Sequence, residues 1–291
     1  MKTIGLIGCG LMGAGMAGSL LREHYTVYAY DPYSIYKEHL EEAGATFVES
    51  VSELAREADA VLLSLPNAQV LKDVLLGESG LLKQLQPGSF VFDMGTTDIQ
   101  TTRLLHQEAA EHNIGYLDCP VSGGPAGAKN GTLTIMVGGN EDDLAKGKDV
   151  LEVIGGSINY IGPSGSGQIV KLCNNMLVAG ITALLSETMQ AAEKEGVEAE
   201  TLFDIVRKSS GHNRVMEVFG ENLLAQSFDQ VLFSLGHMAK DIELYMDLSK
   251  EHKMPQPTSA AVNQLYRLAL QQQKGTLDST AIYSVLSTEG V

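Results

Sequence analysis

The sequence predicts an α/β domain followed by an all-helical domain, and three observations support this prediction. Short apolar runs alternate with amphipathic segments in the first half, the strand signal ends near residue 163, and an apolar stretch fills residues 165–194. The chain has 291 residues, and a single hydrophobic core usually stops growing near this size, so two domains are expected. We predict domains at residues 1–163 and 164–291, joined by a long helix.

Seven short runs rich in Val, Ile, Leu and aromatic residues predict strands in the first domain. They are TIGLIG, TVYAYD, DAVLLSLP, SFVFDMG, IGYLDCP, LTIMVGG and SINYIG. Helical patterns separate them, at residues 12–23, 34–43, 51–57, 68–76, 98–112 and 141–153. Because strands separated by helices need crossover connections, we expect a largely parallel sheet.

The second domain carries helical patterns only. Its first stretch, GSGQIVKLCNNMLVAGITALLSETMQAAEK, predicts one long helix that contains Lys171, Ser186 and Glu187. These polar residues favour a core helix over a membrane span. Further helices are predicted at residues 198–208, 213–225, 234–252, 257–272 and 278–287.

Composition narrows the classes of partner. Twenty basic against 36 acidic residues leave a net charge of −16, which argues against a nucleic-acid or anionic membrane surface. An anionic substrate would therefore need local positive groups. Cys9, Cys119 and Cys173 are scattered among apolar or small residues, which favours buried, reduced thiols and a cytoplasmic protein. The first residues do not form a signal-peptide pattern, and the three cysteines do not have the spacing of a metal site, so we expect neither a signal peptide nor a bound metal ion.

A glycine-rich turn follows the first predicted strand: Gly8-Cys9-Gly10-Leu11-Met12-Gly13 matches G-x-G-x-x-G. In this pattern the glycines allow a tight turn, the approach of a pyrophosphate and close packing of helix on strand. The pattern predicts a Rossmann-type dinucleotide-binding domain, with a purely structural turn as the alternative. Asp31 ends the second strand. Its carboxylate can accept hydrogen bonds from both adenine-ribose hydroxyls and would repel a 2′-phosphate, which favours NAD over NADP.

Five stretches together resemble one family of enzymes. They are GLIGCGLMGAGMAGSLL at the first turn, LPN at 65–67, DCPVSGGPAGAKNGTLTIMVGG at 118–139, GQIVKLCNN at 167–175 and KDIEL at 240–244. In this order they resemble the β-hydroxyacid dehydrogenases, the group of 3-hydroxyisobutyrate dehydrogenase, tartronate semialdehyde reductase and, more distantly, 6-phosphogluconate dehydrogenase. The resemblance implies a Rossmann-type domain, a long interdomain helix, a helical domain and a homodimer or homotetramer.

The resemblance assigns proton transfer to Lys171. A lysine can take the hydroxyl proton as hydride leaves an alcohol, and an apolar setting assists this by lowering the lysine pKa. Asn175 lies one turn further along the helix, with Asn174 beside it. Either amide can hold the lysine or a substrate oxygen, and the family pattern favours Asn175. A lysine that extends to solvent at the start of a helix is the alternative.

The resemblance also implies an anion-binding loop at Ser122, Gly123 and Gly124. Two glycines let backbone N–H groups converge on an anion, and the serine hydroxyl adds a donor. This loop is expected to hold the substrate carboxylate and to supply the local positive field. A plain turn after Pro120 is the alternative.

Four residues are expected to bind the cofactor by resemblance, in addition to the glycine turn. Thr96 should contact the nicotinamide ribose, although this chain has Gly95 where the family has serine. Leu65 and Pro66 should line the adenosine side, and Lys240 should reach the nicotinamide and substrate. The alternatives are a plain turn at 65–67 and an ordinary surface ion pair for Lys240.

Residues 210–214, SGHNR, depart from the family, whose members often have small or apolar residues here. Arg214 can pair with a carboxylate, phosphate or sulfonate, and a solvated loop is the alternative.

From these motifs and the resemblance together, we predict an NAD-dependent oxidoreductase that interconverts a small anionic 3-hydroxy acid and its semialdehyde. The candidates are tartronate semialdehyde, a sulfolactaldehyde-like aldehyde and 3-hydroxyisobutyrate. A non-catalytic NAD-binding redox sensor is the alternative from another class.

Overall fold

The computed structural model describes residues 2–286 and divides the chain into two compact units, Met1–Lys171 and Leu172–Val291. The first unit is α/β and the second is helical, so the predicted fold class is confirmed. One helix, α8 (Ser166–Lys194), belongs to both units, and it begins two residues after the predicted boundary at 163/164.

The strands of the first unit are β1 (Thr3–Ile7), β2 (Thr26–Tyr30), β3 (Thr46–Phe47), β4 (Ala60–Leu63), β5 (Phe90–Asp93), β6 (Gly115–Asp118), β7 (Val121–Ser122), β8 (Leu133–Gly138) and β9 (Gly155–Gly162). Its helices are α1 (Leu11–Arg22), α2 (Lys37–Glu42), α3 (Val51–Glu57), α4 (Ala68–Leu76), α5 (Ile99–Glu111), α6 (Gly124–Asn130) and α7 (Glu141–Ile154), with a 3-10 helix at Leu81–Lys83.

Within residues 2–286, nine strands form one sheet in the order β3-β2-β1-β4-β5-β6-β8-β7, with β9 beside β8. The pairs β6–β8 and β7–β8 are antiparallel and the others are parallel, as predicted for the main part of the sheet. The strand order reverses between β1 and β4. In open α/β sheets, ligands bind outside the carboxyl ends of the strands at such a switch point.

Both faces of the sheet are covered. Ile4 and Leu6 of β1 belong to one hydrophobic cluster, whereas Val61 and Leu63 of β4 belong to another. Alternate residues of a strand point to opposite faces, so central strands buried on both sides must be apolar throughout. This is why the central strands appear in the sequence as unbroken apolar runs.

The second unit contains the rest of α8 and further helices: α9 (Ala199–Val206), α10 (Arg214–Leu224), α11 (Leu235–Glu251), α12 (Pro257–Gln271), α13 (Tyr283–Leu286) and a 3-10 helix at Ser279–Ile282. By length and composition α8 could cross a membrane, and 44% of its most apolar stretch is buried inside the protein. Thr182 and Ser186 are fully buried on it. A core helix explains both features.

Several local predictions need correction. The strands β3 and β7 and the helix α6 were not predicted, because two-residue strands and a glycine-rich helix leave no periodic pattern. Helix α2 begins three residues later than predicted, since the Ser34 side chain forms a turn by bonding Cys9 O and Tyr36 N. The helix predicted at 278–287 is split in two, and its last residue lies outside the described residues. Cys173 is exposed rather than buried.

Candidate active site

The glycine turn connects β1 to α1 at the switch point, and each glycine has its own steric reason. Gly8 has φ +91°, and a Cβ there would lie 2.3 Å from Ser64 O. A Cβ on Gly13 would lie 2.0 Å from Gly8 O, which explains the close packing of α1 on its strand. A Cβ on Gly10 would meet nothing within 4 Å. The space beside Gly10 therefore fits the approach of a pyrophosphate.

Leu11 and Met12 begin helix α1, where Leu11 is exposed and Met12 is half-buried. The first N–H groups of a helix have no partner within it, so this end suits an anion.

Asp31 lies directly after β2 and is fixed by the glycine turn. Its Oδ2 accepts from Cys9 N at 2.8 Å, and its Oδ1 accepts from Tyr33 N at 2.9 Å. A carboxylate has about four lone-pair sites, so each oxygen keeps capacity for a ribose hydroxyl. The Cys9 thiol is buried, and burial followed by the nearby Asp31 charge raises its pKa to about 12. This thiol is therefore not a nucleophile.

Two further loops follow strand ends beside the switch point. Leu65 is half-buried and Pro66 is exposed after β4, while Asn67 caps α4 by accepting from Val70 N at 3.0 Å. A Cβ on Gly95 would lie 3.2 Å from Leu65 O, which shows that the loops after β4 and β5 are neighbours. The structure thus brings the predicted cofactor residues of the first unit to one edge of the sheet.

Thr96 is held on both sides by one buried side chain that sequence reasoning missed. Gln168 Oε1 accepts from Thr97 N at 3.1 Å, and Gln168 Nε2 donates to Gly95 O at 3.0 Å. Gln168 has no exposed surface (0%). Thr96 itself is half-buried.

Helix α8 starts against a buried carboxylate, which was also missed. Asp118 ends β6, is 0% exposed, and accepts from Gly165 N at 2.8 Å and Gln168 N at 3.1 Å. Burial raises the pKa of Asp118, although its backbone hydrogen bonds act in the opposite direction. A carboxylate at a helix N-terminus also interacts favourably with the helix dipole. Asp118 thereby fixes the first turn of the helix that carries Lys171.

The Ser122-Gly123-Gly124 segment forms the end of β7 and the start of α6. Gly123 and Gly124 have φ values of +133° and +62°, which other residues rarely adopt. Ser122 is half-buried and pairs with Thr134 of β8. Successive N–H groups in such a turn can form a concave anion site, and the binding of a carboxylate here stays a prediction.

Lys171 ends the first unit and is only 9% exposed. The alternative of a lysine extended into solvent does not fit this burial. Asn175 follows one turn later on α8, within the second unit, and is 3% exposed. Asn174 donates from Nδ2 to Asn175 Oδ1 at 3.1 Å.

A buried carboxylate of the second unit fixes Asn175. Asp241, which is 1% exposed, accepts from Asn175 Nδ2 at 2.6 Å. Lys240 Nζ lies 3.0 Å from Asp241 Oδ1, an ion pair without the alignment of a hydrogen bond. Asp241 thus connects two residues that the sequence predicted as functional. His237 precedes Lys240 by one turn, and its pKa is lowered by burial and by the Lys240 charge.

The loop at 210–214 has local structural roles. His212 Nε2 lies 3.0 Å from Glu217 Oε1, and Asn213 caps α10 by accepting from Met216 N at 3.1 Å. Arg214 is the first residue of α10 and is exposed. Its contact with substrate stays a prediction.

Two signals could have identified the missed residues. Asp118 and Asp241 are carboxylates next to apolar runs, where a charge is costly unless it is well hydrogen-bonded. Gln168 lies three residues before Lys171, on the same side of the helix. In the described part of the chain, no three His, Cys, Asp or Glu side chains are grouped to hold a metal ion.

Comparisons with known proteins identify the family of the chain. Residues 3–162 match the family model for the NAD binding domain of 6-phosphogluconate dehydrogenase. Residues 165–286 match the model described as NAD-binding of NADP-dependent 3-hydroxyisobutyrate dehydrogenase. An NAD-dependent L-serine dehydrogenase of Pseudomonas aeruginosa is 35% identical over 297 residues, covering 100% of both chains. A 2-(hydroxymethyl)glutarate dehydrogenase of Eubacterium barkeri is 36% identical, covering 97% of this chain and 94% of the relative.

A solved structure shows the same architecture. The Mycobacterium tuberculosis 3-hydroxyisobutyrate dehydrogenase with L-serine has a TM-score of 0.89 and 30% identity, covering 99% of this chain and 100% of the other. The fold, the glycine turn and these relatives define an NAD(P)-dependent dehydrogenase that acts on the CH–OH group of hydroxy acids. The chain belongs to the 3-hydroxyisobutyrate dehydrogenase family, as the resemblance predicted.

Proposed function

We propose that this dehydrogenase interconverts a small 3-hydroxy acid and its semialdehyde with NAD(H), and that Lys171 is the general acid and base. The observation that carries the proposal is the position of Lys171. It is 9% exposed and lies one helical turn before Asn175, which Asp241 holds through a 2.6 Å hydrogen bond. An amine in such a place is suited to proton transfer rather than to solvation.

Proton transfer balances the reaction. The bound nicotinamide supplies the hydride for reduction or accepts it in oxidation. In oxidation, neutral Lys171 accepts the hydroxyl proton as the carbonyl forms, and in reduction its ammonium returns that proton to the oxygen. Asn175 uses one amide hydrogen for Asp241, and its second hydrogen is available to orient the substrate oxygen.

The relatives indicate the chemical unit that is bound. L-Serine, 3-hydroxyisobutyrate and 2-(hydroxymethyl)glutarate, the substrates in the relatives' names, each carry CH₂OH on the carbon that bears a carboxylate. They differ in the third group on that carbon. We assign the shared carboxylate to Ser122, Gly123 and Gly124, because the positive φ values of the two glycines form a turn in which successive backbone N–H groups can converge on an anion.

The variable group decides the individual substrate, and we propose a polar or anionic one. Arg214 supports this because it is an exposed guanidinium at the start of α10. Tartronate semialdehyde and a sulfolactaldehyde-like aldehyde satisfy the condition, and 3-hydroxyisobutyrate is the apolar competitor. The sensor alternative has no support, since the named relatives are dehydrogenases.

Asp31 supports a preference for NAD over NADP. Its carboxylate is fixed by Cys9 N and Tyr33 N, so it cannot easily turn away from a 2′-phosphate. Like charges at close range disfavour binding.

We also propose a homo-oligomer that uses the exposed face of α8. Leu177 and Leu184 lie two turns apart on this face and are 66% and 59% exposed. Light scattering of the wild type and of Leu177→Lys with Leu184→Lys tests this. A dimer or tetramer that dissociates in the variant is expected, and an unchanged oligomer would contradict the proposal.

The first experiment compares initial rates with NADH and NADPH on a panel of aldehydes, and with NAD⁺ on L-serine and 3-hydroxyisobutyrate. The aldehydes are the semialdehydes of methylmalonate, tartronate and succinate, with sulfolactaldehyde. Lys171→Ala should abolish turnover, whereas Lys194→Ala, at the far end of the same helix, should not. Full turnover by Lys171→Ala would overturn the assignment.

A further inference from the structure

The side chain of Gln168 joins the helix of Lys171 to the loop of Thr96. Its two hydrogen bonds, to Thr97 N at 3.1 Å and to Gly95 O at 3.0 Å, lie on either side of Thr96 in the sequence. Gln168 itself lies one turn before Lys171 on α8. A single buried amide therefore connects a residue expected at the cofactor with the residue expected to move the proton.

The backbone around Gln168 leaves this side chain little freedom. Gln168 N donates to Asp118 Oδ2 at 3.1 Å. A Cβ on Gly167 would lie 2.3 Å from Met136 O and 2.8 Å from Asp118 Oδ2, so the helix start is in close contact with the sheet. Because the helix start is fixed, a change at the Gln168 amide must be absorbed by the loop after β5.

We propose that Gln168 is a positioning residue that sets the loop of Thr96 relative to Lys171. The inference rests on the proposed roles of those two residues. Hydride and proton transfer occur at adjacent atoms of the substrate, so the cofactor and the proton donor need a fixed separation. A small misplacement of reacting groups costs about 100-fold in rate.

The chemistry of the two contacts explains why an amide is needed. Thr97 N is a donor and Gly95 O is an acceptor, so the side chain must accept at one atom and donate at the other. An ionised glutamate has the same shape but only accepts hydrogen bonds, and it would repel Gly95 O. A protonated glutamate regains a donor. Acidification should therefore raise the kcat of the Gln168→Glu variant relative to that of the wild type.

The test measures kcat and KM for aldehyde reduction by NADH between pH 5.5 and 8, on the best substrate of the panel. The proteins are wild type, Gln168→Glu, Gln168→Ala and the control Gln86→Glu, which changes an exposed glutamine. We expect kcat of Gln168→Ala to be about 100-fold lower at every pH. Position 168 is fully buried, and burial should raise the pKa of a carboxyl introduced there. The ratio of the kcat of Gln168→Glu to that of the wild type should therefore rise at least ~10-fold from pH 8 to pH 5.5, as protonation restores one donor. Gln86→Glu should stay at wild-type kcat.

A merely structural glutamine would lower thermal stability and leave these ratios flat. A constant ratio for Gln168→Glu, or a kcat for Gln168→Ala within about 3-fold of wild type, would overturn the proposal. The rise in kcat of Gln168→Glu between pH 8 and pH 5.5 is measured within one variant, so a lower stability of that variant does not obscure the pH dependence. Lys171→Ala in the same assay separates the two ideas. If it keeps full turnover, the proposed function fails, and if it is inactive while the Gln168 variants are normal, only the coupling fails.

Discussion

Removal of the Asn175 amide should destabilise the second unit by an amount that can be estimated from its contacts. Asn175 Nδ2 lies 2.6 Å from Asp241 Oδ2, and the two residues are 3% and 1% exposed. In Asn175→Ala the carboxylate stays buried and loses this donor. Lys240 Nζ, 3.0 Å from the other oxygen, still compensates part of the charge.

The expected magnitude follows from the charge on the acceptor. A hydrogen bond to a charged group contributes about 1.5–3 kcal/mol, so we expect Asn175→Ala to lower the free energy of unfolding by about 2 kcal/mol. For a chain of this size that corresponds to a Tm lower by roughly 4–8 °C. In Asp241→Asn the side-chain oxygen can still accept from Asn175, but the acceptor is no longer charged and Lys240 loses its ion-pair partner, so a loss of similar size is expected.

The assay is urea unfolding at pH 7, followed by circular dichroism, on the wild type and three variants. Asn174→Ala is the matched control, because Asn174 is half-buried and donates to the neutral Asn175 Oδ1 at 3.1 Å rather than to a charged group. It should cost less than about 1 kcal/mol. If Asn175→Ala had the same free energy of unfolding as the wild type, or if Asn174→Ala lowered it as much as Asn175→Ala does, the hydrogen bond to Asp241 would not have the assigned strength.

Three other predictions concern the first unit. Gly10→Ala should fold normally, because its Cβ meets nothing within 4 Å, but calorimetric titration should show NADH binding at least ~10-fold weaker than in the wild type. Gly13→Ala, whose Cβ would lie 2.0 Å from Gly8 O, should instead lower the Tm. If the two variants had the same Tm and the same NADH affinity, Gly10 would not be the glycine that the pyrophosphate approaches. Asp31→Asn should raise the NADPH to NADH ratio of kcat/KM about 10-fold by removing one negative charge, and an unchanged ratio would count against Asp31 as the selector. Burial raises the pKa of Asp118 above 3.8, so the folded state binds this proton more tightly than the unfolded state. The contribution of Asp118 to stability is then largest below pH 3.8 and is lost as the pH rises through the raised pKa. In urea unfolding, the free energy of unfolding of the wild type minus that of Asp118→Asn should therefore fall as the pH rises through this range. A difference that does not change with pH would contradict the prediction.

The parts of the fold that the sequence predicted are those encoded by local patterns. Strands such as Ala60–Leu63 are buried on both faces, so their residues must all be apolar, and such runs are easily recognised. Strand Val121–Ser122 and helix Gly124–Asn130 form because Gly123 adopts φ +133° between them. Such a backbone angle depends on the three-dimensional packing, since a Cβ at Gly123 would lie 3.2 Å from the side chain of Leu133. It leaves no periodic pattern in the sequence from which it could be predicted.

The candidate site divides in the same way. The glycine turn could be predicted because its pattern lies within a few neighbouring residues, whereas the role of Lys171 was predicted from the resemblance to a family. The pairs that fix them could not be predicted, since Thr97 and Gln168 are 71 positions apart, Asp118 and Gly165 are 47 apart, and Asn175 and Asp241 are 66 apart. Each is a buried polar group that needs one partner, and the sequence does not specify which of many candidates the fold will supply.

These pairs also explain how an acidic protein can accept an anionic substrate. The net charge of −16 disfavours the approach of a carboxylate at long range. Two buried carboxylates, one in each unit, nevertheless have donors: Asp118 accepts from Gly165 and Gln168, and Asp241 accepts from Asn175. Under the proposed function, Lys171 and the N–H groups of Gly123 and Gly124, all in the first unit, supply the local positive potential that a substrate carboxylate meets.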